Sequence, residues 1–506
     1  VPGGFYDNDI QVELSAGESS RIYYTLDGSE PTPQSTLYEG PITIINRSGS
    51  DMTLAVNPQM EYSYAYQPAS LTMGTVVKAI AVDSRGQSSD TVTQSYFIGI
   101  AKSGDVASLP VLSISTEADN FFDYFDGIYV KGRTYEDAIA QGTDGGHAAN
   151  YYQGWSRPVC VEFFTTQKDK TFQEDMTVQM LDDFSITSSQ KSMQFTGNMA
   201  AGMGTGLENY YRDPEMTLTL QTHRRDNDYM TRDYLAQRLL ASTTVRSRDM
   251  QPCAVFLNGE YWGVYMLKGA YDAEFAEQAY GVNAGDVTIV SMDPETVPMQ
   301  EDYGELYRFV TENDMGNTSN YQRVQEQMDI DNYLEYFCAN MYLANAFYGQ
   351  DQLTVWRVDP DKATGNGYED GRWRYLMPRM DNSMANGTTG GMCTASIDSY
   401  LMQSVTEDQF FTSLLRNKEF RNRLSSTMTE MSETVFGIEQ VDQVLDELAG
   451  ERKKAATSNY KRFFGNTDDS AYIREMEKIR TFFEERTGYI LLYTTEVVEG
   501  EETTNE

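Results

Sequence analysis

The sequence predicts an α+β protein: an N-terminal all-β sandwich ahead of a larger domain in which strands give way to helices. Three observations predict it. The first hundred or so residues hold short β-prone runs separated by turn signals. The stretch Pro252 to Gly281, PCAVFLNGEYWGVYMLKGAYDAEFAEQAYG, reads as strand, turn, strand and helix. From Asp329 onward, apolar residues recur at helical spacing.

Residues 1–100 are expected to form the sandwich. Ile10 to Leu14, Arg21 to Leu26, Pro41 to Ile45, Thr75 to Val82 and Thr91 to Ile98 read as short strands, with turns at Leu26-Asp27-Gly28-Ser29 and Ser84-Arg85-Gly86. Tyr62, Tyr64 and Tyr66 fall at alternate positions, so a strand there would put all three on one face. Such a face is either a carbohydrate-binding surface or a structural aromatic ladder. Ala101 to Ser108, small and polar, reads as a linker.

The second domain is expected over 109–495. Leu109 to Ser115, Arg157 to Phe164 and Asp175 to Met180 read as strands, and Gly142 to Asn150 as a surface insertion. A turn from Asp182 to Ser192 delivers Lys191 to a strand whose alternation buries Met193 and Phe195. Thr231 to Leu240 is a helix. In the central stretch, Asn258-Gly259 is a hairpin signal, because a tight turn of that type needs positive φ at both residues. The helix from Tyr271 to Tyr280 stops at Gly281. A strand over Gly285 to Ser291 is followed by helices at Glu301 to Glu312, Tyr321 to Gln327 and Asp329 to Ala346, the last with Asp331 as N-cap. Leu353 to Val358 and Arg372 to Met377 form a second hairpin, and Asn382 to Ser396 a long loop. Helices follow at Asp408 to Leu415, Lys418 to Phe436, Ile438 to Ala455 and Ala471 to Leu492, before an acidic disordered tail over 496–506.

Composition narrows the function. The chain has 506 residues and a formal net charge of -37, which argues against nucleic acid or an anionic membrane as partner. No apolar run is long enough to span a bilayer. Two histidines leave little for a His-based triad or metal site, and four dispersed cysteines without a CxxC argue against zinc and for free buried thiols. The start at Val1-Pro2-Gly3-Gly4, without Met, is that expected of an exported protein whose signal segment precedes this sequence.

Two residues carry candidate chemistry by position. Lys191, in SSQKSMQF, could hold a phosphate as a point charge if it faces a cleft between a sheet lobe and a helical lobe; otherwise it is an exposed edge lysine. Asp381, just past the strand in RWRYLMPRMDNSM, could hold Mg²⁺ through a carboxylate oxygen; otherwise it is a turn or capping Asp.

Two resemblances sharpen this reading. IYYTLDGSEPTPQSTLYEGPITI (Ile22 to Ile44) resembles the β-sandwich module at the C-terminal end of chitobiases and β-hexosaminidases. From about Leu109 to Leu492 the chain resembles the spore-coat protein H (CotH) family of atypical, secreted bacterial kinases. The matching pieces are VQMLDDFSITSSQKSMQF, TRDYLAQRLL, VFLNGEYWGVYML, YLANAFYGQDQLTVWR, RWRYLMPRMDNSM and LLRNKEFRNRL, in that order. The resemblance implies a divergent, two-lobed protein-kinase-like fold that binds ATP with Mg²⁺ or Mn²⁺ and phosphorylates Ser or Thr.

Position by position, Lys191 stands where the family pattern has a phosphate-contacting Lys, and Asp381 where it has the second acid of a D-x-D metal site. Elsewhere the chain departs. Ile186 replaces a basic residue, Gly269 a Glu, Phe347 the catalytic Asp, Gln352 a metal-binding Asn (with Asp351 beside it), and Arg379 the first acid of D-x-D. A shift of a few residues would recruit Asp351 as base. Phe347 cannot accept a proton, and Arg379 puts a permanent positive charge beside Asp381, where it pairs with that acid or contacts phosphate without metal. The expectation is an exported kinase-like protein at the cell surface with lost or reduced transfer, binding a protein or glycan. The alternatives are an active Ser/Thr kinase, or an adhesion protein acting through the sandwich and its Tyr62, Tyr64 and Tyr66.

Overall fold

The computed structural model describes the chain apart from residues 51, 62–66, 104–105, 144, 184, 198–204, 211–216, 223–230, 347, 350–351, 366, 385–406, 466–467 and 506. It divides into two compact units. The first comprises Val1–Arg224, Asp249–Gly269 and Glu451–Asp469; the second comprises Arg225–Arg248, Ala270–Gly450 and Ser470–Glu506.

In the first unit the N-terminal module holds β1 (Gly4–Tyr6), β2 (Ile10–Val12), β3 (Arg21–Thr25), β4 (Thr36–Leu37), β5 (Ile42–Ile44), β6 (Thr75–Val82) and β7 (Val92–Ile98). A five-stranded sheet, β1-β7-β6-β3-β4, faces a β2-β5 pair. Val12, Ile42 and Ile44 of the pair pack with Val77, Tyr96 and Ile98 of the sheet, which makes the module a sandwich. Strands β1 and β4 are additions to the predicted set, too short for alternation to register.

Seven further strands close into a barrel: β8 (Val111–Ser115), β9 (Arg157–Phe164), β10 (Lys170–Met180), β11 (Met193–Thr196), β12 (Leu218–Gln221), β13 (Met250–Leu257) and β14 (Glu260–Lys268). The sequence predicts a sheet here; the sheet closes because β8 pairs in parallel with β13 on one side and antiparallel with β9 on the other. Between β8 and β9 lie α1 (Ala118–Phe122) and α2 (Gly132–Ala140). The hairpin tip has positive φ at Asn258 (49°) and Gly259 (83°), as the Asn-Gly signal requires.

The module is bound to the barrel through that tip. The buried Glu260 carboxylate accepts the backbone N–H groups of Thr53 (2.6 Å), Leu54 (3.0 Å) and Ala55 (2.8 Å), and Thr53 Oγ1 at 3.1 Å. Asn258 accepts from the Thr116 amide and donates to its carbonyl. Leu54, Ala55, Leu71 and Met73 of the module belong to the same apolar core as Trp262 and Leu257.

The second unit contains α3 (Arg232–Leu239), α4 (Ala273–Tyr280), β15 (Val287–Met292), α5 (Asp302–Glu312), α6 (Thr318–Gln327), α7 (Ile330–Tyr342), β16 (Leu353–Val358), β17 (Arg374–Tyr375), α8 (Gln409–Leu415) and α9 (Lys418–Thr434). α10 (Ile438–Phe464) begins in this unit and its last part belongs to the first; α11 (Ser470–Asn505) follows. Strands β15, β16 and β17 form a small sheet. Gly281, at φ 71°, ends α4 as expected.

Three expectations are corrected. Asp329, not Asp331, caps α7, accepting the Asn332 amide, while Asp331 pairs with Arg423. The return strand predicted over Arg372 to Met377 shrinks to Arg374–Tyr375, because the flanking amides bond elsewhere, Trp373 to the Gln327 carbonyl and Met377 to that of Arg246. The last helix continues to Asn505 through the segment predicted as a disordered tail; extending an existing helix avoids the nucleation cost that disfavours a free one. Cys160, Cys253 and Cys338 are free and buried, and Cys393 lies outside the described residues. No helix among the described residues is long and apolar enough to cross a membrane.

Candidate functional site

Lys191 enters the barrel just before β11, whose Met193 and Phe195 are buried as predicted. Lys191 itself is 2% exposed, which excludes the exposed edge lysine. Its ammonium donates to the carbonyls of Ile186 (2.6 Å) and Ser188 (2.8 Å) and lies 4.2 Å from the Tyr151 ring centroid and 5.4 Å from that of Tyr129. The Tyr129 hydroxyl accepts from the Lys191 amide and from Trp262 Nε1 and donates to the Ser189 carbonyl. Burial pushes the Tyr129 phenol above its ordinary range, so it stays a neutral donor.

Ile186 and Gly269, read from the sequence as departures from the family pattern, are both poorly placed to take a charged side chain. Ile186 is buried in the barrel core, where a basic side chain would lose its water. At Gly269 an added Cβ would sit 2.7 Å from the Asn209 carbonyl and 3.4 Å from that of Asp249. The Gly269 amide donates to that same Asp249 carbonyl at 2.9 Å, which holds the backbone in place.

In the second unit, the segment after α7 pairs with the segment after β17. The Met384 amide donates to the Leu343 carbonyl, and the Ala346 amide to that of Asn382. Asp381 is buried there, with its Oδ1 2.9 Å from Arg379 Nε, an ion pair close in distance though not aligned as a linear hydrogen bond. Asp233 on α3 accepts the Met380 amide at 2.8 Å, and the Ser383 hydroxyl donates to the Met380 carbonyl. Gln352 is exposed. Phe347 and Asp351, like Tyr62, Tyr64 and Tyr66, lie outside the described residues.

Several site-supporting residues escape sequence reasoning. Asn459, fully buried on α10, closes a ring: its Oδ1 accepts the Val264 amide, its Nδ2 donates to Gln190 Oε1, and Gln190 Nε2 donates to the Val264 carbonyl. Gly263, at φ 111°, makes room for it, since a Cβ there would meet Asn459 Oδ1 at 2.5 Å. Arg232 pairs with Glu475 and donates to the Met384 carbonyl, bracing the Asp381 segment. Burial would raise the Glu475 carboxyl, but Arg232 and Lys478 together outweigh it and hold the group below its ordinary value. Gln190, next to Lys191, is the one local signal. Partners so remote in the chain leave none.

The donor set bears on the nucleotide and metal that a kinase fold implies. A divalent cation needs several oxygens facing it without a competing cation. Among the described residues no three His, Cys, Asp or Glu side chains converge, and the guanidinium of Arg379 stands against the Asp381 carboxylate. The Lys191 ammonium is engaged by two carbonyls and two rings. These residues do not fit a metal-bridged triphosphate.

A family model described as CotH kinase protein matches residues 184–490, more than half of the chain. A model described as Fn3 associated matches residues 12–96, the sandwich module. No curated protein matches the chain.

Proposed function

Because the chain belongs to the CotH kinase protein family, as the match over more than half of its length shows, we propose that it is a kinase-like protein that has exchanged phosphoryl transfer for a binding or scaffold role. One observation carries this: the Arg379–Asp381 ion pair. Phosphoryl transfer relies on positioning and on divalent charge against the phosphates. Here the charge facing the acid is built into the chain. The sealed positions at Ile186 and Gly269 support the same reading, since neither admits a charged partner for Lys191. Export to the cell surface and a protein or glycan partner belong to this proposal through the family resemblance.

Calorimetry of ATP with and without Mg²⁺ or Mn²⁺, on wild type and Lys191→Ala, tests it alongside a radiolabel transfer assay with generic acceptor proteins. The expected outcome is no metal-dependent ATP binding and no transfer above a no-enzyme control. Metal-dependent binding and transfer, both lost in Lys191→Ala, would overturn the proposal in favour of an active kinase.

A further inference from the structure

A cavity of about 380 Å³ opens between the N-terminal module and the barrel, within the first unit. The module supplies Glu30, Lys78 and Asp90, and the barrel side supplies Ser115, Glu117 and Asp175. We propose that this cavity binds an organic cation, an alkylammonium or guanidinium group on a short aliphatic stem.

The charge balance comes first. Four carboxylates line the space against a single lysine, and that lysine is committed: Lys78 is 2% exposed and its ammonium pairs with Glu30, which also accepts the Thr91 hydroxyl. Asp90 and Asp175 are exposed at the rim and Glu117 is half-buried, so the net charge offered to a guest is negative. Cys160, also in the wall, adds no anion: burial, reinforced by Glu162 and Asp175, pushes its thiol up to about 12.

A second observation is independent of charge. Ser115 is 1% exposed and its Oγ has no hydrogen-bond partner. Two residues earlier on β8, Ser113 Oγ meets Ser95 Oγ of the module at 2.8 Å, so strand alternation turns Ser115 toward the module as well, into the cavity it lines. An unsatisfied buried hydroxyl costs free energy, which a donor-bearing guest would recover. Pro158, Val159 and Met176 give the remaining wall an apolar surface suited to methylene groups. An inorganic cation lacks a ligand set, since no three acidic, His or Cys side chains converge among the described residues. The volume lies at the lower end of small-molecule pockets, enough for one amine-bearing chain.

Calorimetry on the full chain at low salt would titrate cadaverine and argininamide as free cations. A capped arginine dipeptide represents the same group on a protein, and glucose and Ca²⁺ serve as controls. The expected result is saturable binding of an amine or guanidinium, weakened about two- to fivefold by each of Asp90→Asn and Asp175→Asn. Ser115→Val, which fills the space without breaking a hydrogen bond, should abolish it with thermal unfolding unchanged. Preference for the free cations over the dipeptide would assign a metabolite, and the reverse a partner side chain. No binding at millimolar cation, equal binding of glucose, preferential binding of Ca²⁺, or unaltered binding in the Asp90→Asn/Asp175→Asn double variant would overturn the proposal.

Discussion

Replacing Glu260 with Ala should loosen the N-terminal module from the barrel. The Glu260 side chain is 2% exposed and is the acceptor for three consecutive backbone amides, those of Thr53, Leu54 and Ala55, as well as for the Thr53 hydroxyl. Alanine strands all of them. The Leu54 and Ala55 bonds are buried, and each orphaned buried donor costs about 1–3 kcal/mol. With partial rescue of Thr53 by water, the loss is about 3–5 kcal/mol, the range typical of breaking a buried charged contact. Glu260→Gln keeps one acceptor oxygen and should lose roughly half as much. Hydrogen exchange read by mass spectrometry tests this locally: amides 53–55 should exchange about a hundredfold faster or more in Glu260→Ala, since each 1.4 kcal/mol is a factor of ten. The fluorescence of Trp262, two residues away and fully buried, should report earlier unfolding in urea. Protection of residues 53–55 within threefold of wild type would refute the argument, because the carboxylate would then not be what holds that loop.

Three further outcomes follow from the same geometry. Gly269→Glu, which supplies the side chain the family resemblance implies there, should cost about 1–3 kcal/mol by overpacking against the Asn209 carbonyl; a variant as stable as wild type in a urea melt would contradict the contact. Burial raises the Glu162 carboxyl above its ordinary 4.5, against opposing contributions from Ser95 and Lys170, so the protonated acid is favoured in the folded state. Its stabilising share is therefore complete below pH 4.5 and is lost as pH rises through the raised value, and Glu162→Gln should gain stability relative to wild type over that interval and then run parallel. Urea melts from pH 4 to pH 8 check it, and curves parallel throughout would remove Glu162 as the cause. Arg379→Ala leaves Asp381 buried without its guanidinium and should lower stability by about 3–5 kcal/mol, with no recovery in millimolar Mg²⁺ or Mn²⁺. Recovery with either ion in a thermal melt would show that a metal can take the place of the arginine.

What the sequence made legible was whatever is decided by neighbours in the chain. The Asn258-Gly259 turn, the Gly281 stop and the strands over Thr75–Val82, Arg157–Phe164 and Leu353–Val358 are written in local β-forming residues and turn chemistry, and they stand where that chemistry puts them. The Arg379–Asp381 pair was foreseeable because its members are two residues apart. Barrel closure was not, because it depends on β8 finding β13 across more than a hundred residues. Nor was the surrounding of Lys191: its position in the strand pattern was evident, but Tyr129 and Tyr151 reach it from the β8–β9 connection, and Asn459 reaches its neighbour Gln190 from α10. The cap of α7 moved by two residues because Asp329 and Asp331 are alike in sequence, and what separates them, Arg372 and Arg374 against Asp329 and Arg423 against Asp331, lies far along the chain.

The buried carboxylate of Asp381 is the strongest argument for a metal site, and it is weaker than it looks. A buried carboxylate needs a positive partner, since desolvation of an unpaired charge costs several kcal/mol. In a metal-using site that partner is the divalent ion, and the neighbouring acid shares the load. In this chain the residue two positions before Asp381 is Arg379, which brings a permanent cation to within 2.9 Å. The Asp381 segment is then held by bonds that no ligand supplies: the Met380 amide on Asp233, the Met384 carbonyl on Arg232, and Arg232 in turn on Glu475. With its charge balanced and its backbone braced from within the chain, Asp381 has a structural role that needs no metal. The same arginine that answers the carboxylate would repel a divalent ion brought to it, so folding stability and metal binding pull in opposite directions at this one position.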